Sequence, residues 1–405
     1  MKFPYTALTV VFVLASVPLA WSFLHRRSAG GAIAVVRVGT FNVAMNRDRQ
    51  GALLAELESG DSRQAKQIAE IVQRNALDVV LLCEVDRDEA GRAAELFATQ
   101  YLGKSQNGQP AIDFTYRFCG PVNTGEPSGL DLDRDGKTDG PGDAFGFGRF
   151  PGQYGMVVLS RHPILTPRIR TFQKLPWSAM PGAARPEGYW DDATWGALRL
   201  SSKSHWDVPI GVGPVQGGRV VHLLCSHPTP PAFDGPEDRN GCRNHDEIRF
   251  WVDYLTPGKD EWIVDDAGTR GGLPAGESFV VLGDLNCDPV DGDARRDALQ
   301  ALLAHPRVQD PLPRSEGGAS EAVRQWGANS GQHGDAALDT ADFADKPASA
   351  TDKGGPGNLR VDYVLPSRDL VVHACKVFWP PNVDVLAALA AASDHRLVWA
   401  DLQMR

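Results

Sequence analysis

Phe279-Val280-Val281-Leu282-Gly283-Asp284-Leu285-Asn286 sets four strand-forming apolar residues before a glycine, then delivers a carboxylate and an amide one residue apart. A run this short, ended by a breaker, reads as a strand buried in a sheet. The same grammar recurs outward from it in both directions. Val35 to Val43 is a strand that reaches Asn42, and Asp78-Val79-Val80-Leu81-Leu82-Cys83-Glu84 ends on a carboxylate. Gly155 to Ser160 is a further strand, and Val220 to Cys225 runs into Ser226-His227. Leu359 to Leu365 carries Asp362, and Leu397 to Asp401 follows Ser393-Asp394-His395. Taken singly, an Asp or Asn after a strand is a turn former. Asn42, Glu84, His227, Asp284, Asn286, Asp362, Asp394 and His395 together point to one sheet edge able to bind metal or phosphate.

Helical spacing appears between the strands. Asp61 to Leu77 places Ala65, Ile68, Ile71 and Val72 on one face. A second helix is expected from Asn244 to Leu255, with Asn244 as N-cap and Glu247 three residues on. Segments 103–152, 171–218 and 311–358 read as long, turn-rich loops, which in a compact domain carry function or move. The 42 Gly and 29 Pro agree with that. Strand segments continue from beginning to end, so one mixed domain over 35–405 fits better than two.

The 405 residues carry 41 Lys+Arg against 51 Asp+Glu, a net charge of −10, which argues against a protein that coats nucleic acid through a basic face. At 42% hydrophobic and 23% charged the chain can bury a full core, which excludes global disorder. Residues 1–27 start with Met-Lys and run almost uncharged from Phe3 to Leu24, as in a secretory signal or an N-terminal membrane anchor. Arg26 and Arg27 leave cleavage and orientation open. Residues 28–34 form a Gly/Ala linker, and the chain is expected to be exported: secreted, periplasmic or on the cell surface. The six cysteines contain no C-x-x-C pair, which excludes zinc ribbons and thioredoxin-like sites. Cys83 and Cys225 belong to apolar strands, whereas Cys119 and Cys242 lie in loop-like surroundings where an exported protein can pair them.

Gly39-Thr40-Phe41-Asn42-Val43, Leu82-Cys83-Glu84-Val85, Gly283-Asp284-Leu285-Asn286, Arg360-Val361-Asp362-Tyr363-Val364-Leu365 and Ser393-Asp394-His395 resemble, in that order, the successive motifs of the endonuclease/exonuclease/phosphatase superfamily, the deoxyribonuclease I-like fold. The resemblance spans about residues 35 to 403. It implies an α+β fold, a four-layer α/β/β/α sandwich with two mixed sheets face to face and helices outside. It implies a metal-dependent hydrolase of phosphodiesters or phosphomonoesters. Glu84 would be the main metal ligand, with Asn42 beside it and Asp394 adding a carboxylate. Asp284 would orient and deprotonate the attacking water, and Asn286 would hydrogen-bond the phosphoryl oxygens. His395, polarised by Asp362, would stabilise the transition state, and His227 would protonate the leaving oxygen. The chemistry agrees, because phosphate-ester hydrolysis needs a cation on the phosphate, a positioned water and an acid for the leaving group. Oxygen-only ligands suit Mg²⁺ or Mn²⁺.

Other features are less specific. Asp131, Asp133, Asp135 and Asp139 follow the D-x-D-x-D-G spacing of a calcium loop, although Gly142 stands where such a loop has its twelfth-position Glu. They are candidate ligands for a structural Ca²⁺, with a solvated acidic turn as the alternative. Tyr154 and Arg243 are candidate substrate contacts. Trp177, Trp190, Trp195 and Trp206 either form a substrate platform or pack beneath a long loop. The substrate is a phosphate ester, with nucleic acid entering only as substrate, and nothing calls for an obligate protein partner. Within the enzyme class the alternatives are a secreted nuclease and a sphingomyelinase-like phospholipase. Outside it stand a catalytically silent binding module on the same fold and an anchored, calcium-binding surface protein.

Overall fold

The apolar run that ends on Glu84 shows how the layers arise. Side chains alternate across a strand, so Val79, Leu81 and Cys83 face one way while Val80 and Leu82 face the other, and all five are buried. A strand buried on both faces requires a layer on each side. The computed structural model describes residues 35–213, 218–343 and 355–403; the expected signal or anchor, 1–27, and the expected linker, 28–34, lie outside them.

The strands are β1 (Val35–Met45), β2 (Val79–Val85), β3 (Tyr116–Phe118), β4 (Gly155–Ser160), β5 (Arg170–Thr171), β6 (His205–Val212), β7 (Arg219–Ser226), β8 (Ser278–Asp284), β9 (Ala341–Phe343), β10 (Gly357–Leu359), β11 (Asp362–Pro366), β12 (Val371–Phe378) and β13 (Leu397–Gln403). One sheet has the order β12-β13-β1-β2-β4-β3 and the other β11-β8-β7-β6-β5, while β9 and β10 form a separate ribbon. Each large sheet is mixed, with one parallel pair: β1 with β2, and β7 with β8. Parallel neighbours need a crossover. Helices α1 (Ala52–Glu58) and α2 (Arg63–Arg74) make the first, and α5 (Arg239–Leu255) makes the second. The remaining helices are α3 (Arg92–Leu96), α4 (Asp192–Ala197), α6 (Asp297–Leu303) and α7 (Glu316–Gln325).

Val79, Leu81 and Cys83 meet Leu223, Cys225, Val280 and Leu282 in the core between the sheets. Val80 and Leu82 pack outward against Leu53, Leu57, Ile68 and Val72 of α1 and α2. On the other side Phe279 and Val281 pack against Ile248, Trp251 and Leu299 of α5 and α6. The result is the expected four-layer α/β/β/α sandwich.

Four local expectations are corrected. Segment 171–218 contains β6, whose Trp206, Val208, Ile210 and Val212 alternate into the inter-sheet core. Leu359 to Leu365 is broken at Arg360-Val361 into β10 and β11, which pair with different strands. Asn244 is an interior residue of α5, because that helix starts five residues earlier, at Arg239. All six cysteines are free, and Cys119 and Cys242 pack on opposite outer layers, so they do not pair. Among the described residues no helix is long and apolar enough to cross a membrane.

Candidate active site

The C-terminal ends of β1, β2, β7 and β8 and the N-terminal ends of β11 and β13 meet at one edge of the sandwich. The strands separate where the polar residues begin. The β1–β2 register shifts between Asn42 and Met45, and the β2–β4 register skips Glu84. Ala44 and Glu84 take left-handed φ values of 47° and 60° at these bulges, and Asn286 takes 50° just beyond β8. Non-glycine residues held there are strained, and bulges of this kind re-aim a side chain from a sheet face to its rim.

Asp284 is the centre of the edge and is 1% exposed. The Asn42 amide donates to its Oδ2 at 3.1 Å, and the Asn286 backbone N–H donates to its Oδ1 at 2.9 Å. The Nε2 atoms of His227 and His395 lie 3.4 and 3.6 Å from Oδ2. His395 Nδ1 is 2.9 Å from Asp362 Oδ2, and the Thr340 hydroxyl donates to that same oxygen at 2.8 Å. The chain Thr340–Asp362–His395–Asp284 is therefore continuous and buried. Glu84 lies beside it, accepting from the Asn46 amide at 2.8 Å. Ser393 ties the terminal motif to β1 by donating to the Asn42 carbonyl at 2.8 Å.

Burial sets the charge states. It pushes the Asp284 carboxyl up to about 6 against the pull of His395, with Asp362 adding to the rise. Burial alone would discharge His395, but Asp362, Asp284 and Asp394 outweigh it and raise that imidazole to about 10. His227 faces Asp284 as well, at 3.4 Å, but among the described residues it has no second carboxylate like Asp362 on its other nitrogen. Burial, Lys203 and His395 hold it well below the usual histidine range, so it rests neutral. Burial also raises Glu84, which His395, Asn42 and Lys203 oppose. The edge thus pairs a charged imidazole with a neutral one around a carboxylate that titrates close to neutrality.

The model of the Endonuclease/Exonuclease/phosphatase family matches residues 39–395. The chain belongs to that family.

Among solved structures it is similar to an endonuclease/exonuclease/phosphatase from Beutenbergia cavernae, at 22% identity, covering 91% of this chain and 72% of that one, with a TM-score of 0.48. It is also similar to sphingomyelinase C from Streptomyces griseocarneus, at 18% identity over 91% and 99% of the two chains, TM-score 0.43. A mannosyl-6-phosphatase from Bacteroides thetaiotaomicron gives 13% identity over 91% and 99%, TM-score 0.43. No curated protein sequence matches the chain.

As a member of this family of phosphoester hydrolases, the protein brings Asn42, Glu84, His227, Asp284, Asn286, Asp362 and His395 to one edge. Asp394 stays exposed at the rim, with the Ser393 hydroxyl 3.4 Å from its Oδ1. Asp284, Asp362 and His395 lie close enough together to hold an ion. His395 Nδ1 is already committed to Asp362, however, so that trio is better described as an ion-paired relay. The residues that the resemblance assigns to a divalent cation, Glu84, Asn42 and Asp394, offer hard oxygen atoms of the kind Mg²⁺ or Mn²⁺ takes, although Asn42 Oδ1 also accepts from the Ala44 N–H at 3.2 Å. Glu84 Oε2 is taken by Asn46.

Arg243 donates through Nε and Nη2 to the carbonyls of Phe145, Arg199, Leu200 and Ser201, which fixes two loops. Trp177, Trp190 and Trp195 pack together beneath the loop, while Trp206 belongs to the core. Tyr154, at φ 55°, stays partly exposed near Glu84, and its N–H is held by Asp86 at 3.2 Å. Asp135 and Asp139 do not join Asp131 and Asp133; the third carboxylate there is Asp143. The reason is local, since Asp135 turns back to accept from the Lys137 N–H at 2.8 Å and Asp139 is exposed.

Two functional residues escaped the sequence. Lys203 is 6% exposed, and burial lowers its ammonium from the usual lysine range against the opposing pull of Glu247, Glu84 and Asp284. Thr340 orients Asp362. Lys203 was legible as the one cation in Ser201-Ser202-Lys203-Ser204, directly ahead of the period-two pattern of β6. Thr340 carried no signal.

Proposed function

We propose that the protein is a divalent-metal-dependent phosphoester hydrolase in which Asp284 activates water and His395 holds the phosphoryl group. The observation that carries this is Asp284 itself, buried yet ionisable near neutrality and placed within 3.6 Å of two imidazoles of opposite charge state. Glu84, with Asn42 and Asp394, would hold the cation, which when bound neutralises phosphate oxygens and makes a water more acidic. Asn42 fixes Asp284 by donating to Oδ2, leaving the carboxylate free to take a proton from water. His395, kept charged by Asp362, stabilises negative charge gathering on the phosphoryl oxygens. Asn286 commits one amide hydrogen to the Pro228 carbonyl at 3.1 Å and has a second for phosphate. His227 rests neutral. An arriving phosphate favours its protonated form, from which it can supply the leaving oxygen.

The test is a substrate panel of plasmid, phosphomonoester, phosphodiester and sphingomyelin, each with Mg²⁺, Mn²⁺, Ca²⁺ or chelator. Turnover that needs a divalent ion supports the proposal. A folded protein that hydrolyses none of the four with any ion supports a silent binding module. The acidic net charge favours small or lipid esters over tightly held duplex DNA. We further propose that the apolar run Phe3 to Leu24 exports the catalytic domain to meet external esters. Cell fractionation and N-terminal sequencing of the mature chain decide this, and finding the intact chain in the cytosol would overturn it.

A further inference from the structure

The acidic segment between β3 and β4 is remote in chemistry from the phosphate edge and has its own unresolved electrostatics. Carboxylate oxygens of Asp131, Asp133 and Asp143 all lie within 4.8 Å of one another. Asp143 is 1% exposed and is locked in place by the N–H groups of Leu132 at 2.8 Å and Gly140 at 2.9 Å. Asp131 accepts from the Gly136 N–H at 3.0 Å through Oδ2. Its other oxygen, Oδ1, is sealed from solvent and has no hydrogen-bond partner. The basic residues of the loop are turned elsewhere: Lys137 pairs with Asp135 at 3.9 Å, and Arg134 lies over the Tyr189 ring. Three converging carboxylates, one of them out of water and another with an orphaned oxygen, are costly without a cation.

We propose that Asp131, Asp133 and Asp143 hold a Ca²⁺ ion that locks the 131–143 loop. Calcium rather than magnesium suits a loop of flexible, oxygen-only ligands, because Ca²⁺ accepts six to eight oxygens in irregular geometry and water can complete the shell. The glycine at the sixth position, Gly136 at φ 87°, makes the sharp turn that brings Asp131 and Asp133 together. The consequence is structural. The carbonyls of Leu132 and Asp133 anchor Trp190 and Tyr189, at 3.0 and 3.3 Å. The Gly148 N–H closes back on Pro141 at 3.3 Å before the chain returns through Arg149 to Tyr154 and the catalytic edge. The ion would stiffen that wall without taking part in the chemistry.

The test uses the full chain, stripped with EGTA and kept at constant Mg²⁺. Ca²⁺ should raise the thermal midpoint over about 10⁻⁴–10⁻³ M, the range of extracellular calcium modules. Asp133→Asn, at a partly exposed position, should weaken that response at least about tenfold. Tb³⁺ gives a second readout, since Trp190 and Tyr189 sit where they can sensitise its emission. Wild type and Glu84→Gln should give a signal displaced by Ca²⁺, and Asp133→Asn should lose it. If Asp143→Asn fails to fold, Asp133→Asn and the Tb³⁺ signal still decide. No Ca²⁺ response in wild type, or a response abolished by Glu84→Gln and retained in Asp133→Asn, overturns the proposal.

Discussion

Asp284 and Asp362 are direct cross-strand partners in the β8–β11 ladder, and the His395 ring touches both, with Nδ1 on Asp362 and Nε2 facing Asp284. Two carboxylates at one register position repel, so the imidazolium between them is held charged by both. Asp362 is 0% exposed, and Thr340 and His395 both use its Oδ2. The arrangement makes Asp284 hard to ionise and His395 hard to discharge.

The pH profile of kcat/KM should therefore rise through about 6 as Asp284 loses its proton and fall through about 10 as His395 loses its own. Asp362→Asn removes a negative charge that raises both groups. Both limbs should move to lower pH, the basic limb further. Profiles of wild type and variant check this, and limbs that stay in place would mean Asp362 only supports the fold.

Asp284→Asn and His395→Ala should leave the fold intact while lowering kcat at least about 10²-fold, the scale of one general-base or charge-stabilising contribution. Glu84→Ala should behave differently, because a lost ligand is partly replaced by mass action. High Mg²⁺ or Mn²⁺ should restore part of its rate. A folded Glu84→Ala protein that is inactive at every metal concentration would assign Glu84 another role.

β2 and β8 announced themselves because each is a continuous apolar run buried on both faces, and the polar residue at its end has no competing explanation in the core. β6 and β12 were not legible in the same way. Asp207, Pro209 and Gly211 interrupt β6 with a strand-breaking proline and glycine, and its period-two face was lost inside a long polar stretch. The residues that hold the site from behind are harder still. Asn244 and Glu247 carry the signature of a helix cap yet serve as ties from the middle of α5. Asn244 donates to the carbonyls of Thr229 and Leu285, at 2.8 and 2.9 Å, and so joins the His227 loop to the Asp284 loop. No local pattern encodes a contact made across that much sequence.

Glu247 makes this concrete. It is 1% exposed and accepts from the Thr229 N–H at 2.6 Å, the Ser202 N–H at 2.6 Å and the Ser202 hydroxyl at 2.9 Å. Glu247→Leu leaves those donors buried and unsatisfied, so it should cost roughly 3 kcal/mol. It should also displace Thr229 and, two residues away, His227. Urea unfolding should show the loss in stability, and the rate should fall even where the variant is fully folded. A stable, fully active variant would remove α5 from the account of the site.

The last expectation concerns acid. His205 is buried against Phe250 and Trp251, with Nδ1 at 2.6 Å from the Ser201 hydroxyl and Nε2 at 2.8 Å from the Glu247 carbonyl. A neutral ring satisfies both contacts by accepting at one nitrogen and donating at the other. Burial accordingly depresses this histidine from 6.5 to about 4. The unfolded chain takes up its proton first as pH falls. The stabilisation is complete above about 6.5, declines below it and is gone once pH passes about 4. By linkage the loss at pH 5 is roughly 2 kcal/mol from this residue alone. His205→Gln keeps a donor for the Glu247 carbonyl but does not titrate. It should be less stable than wild type at neutral pH and show a smaller loss on acidification. Urea midpoints at pH 7.5 and pH 5 for both proteins measure the difference, and equal losses would mean that His205 is protonated in the fold without penalty.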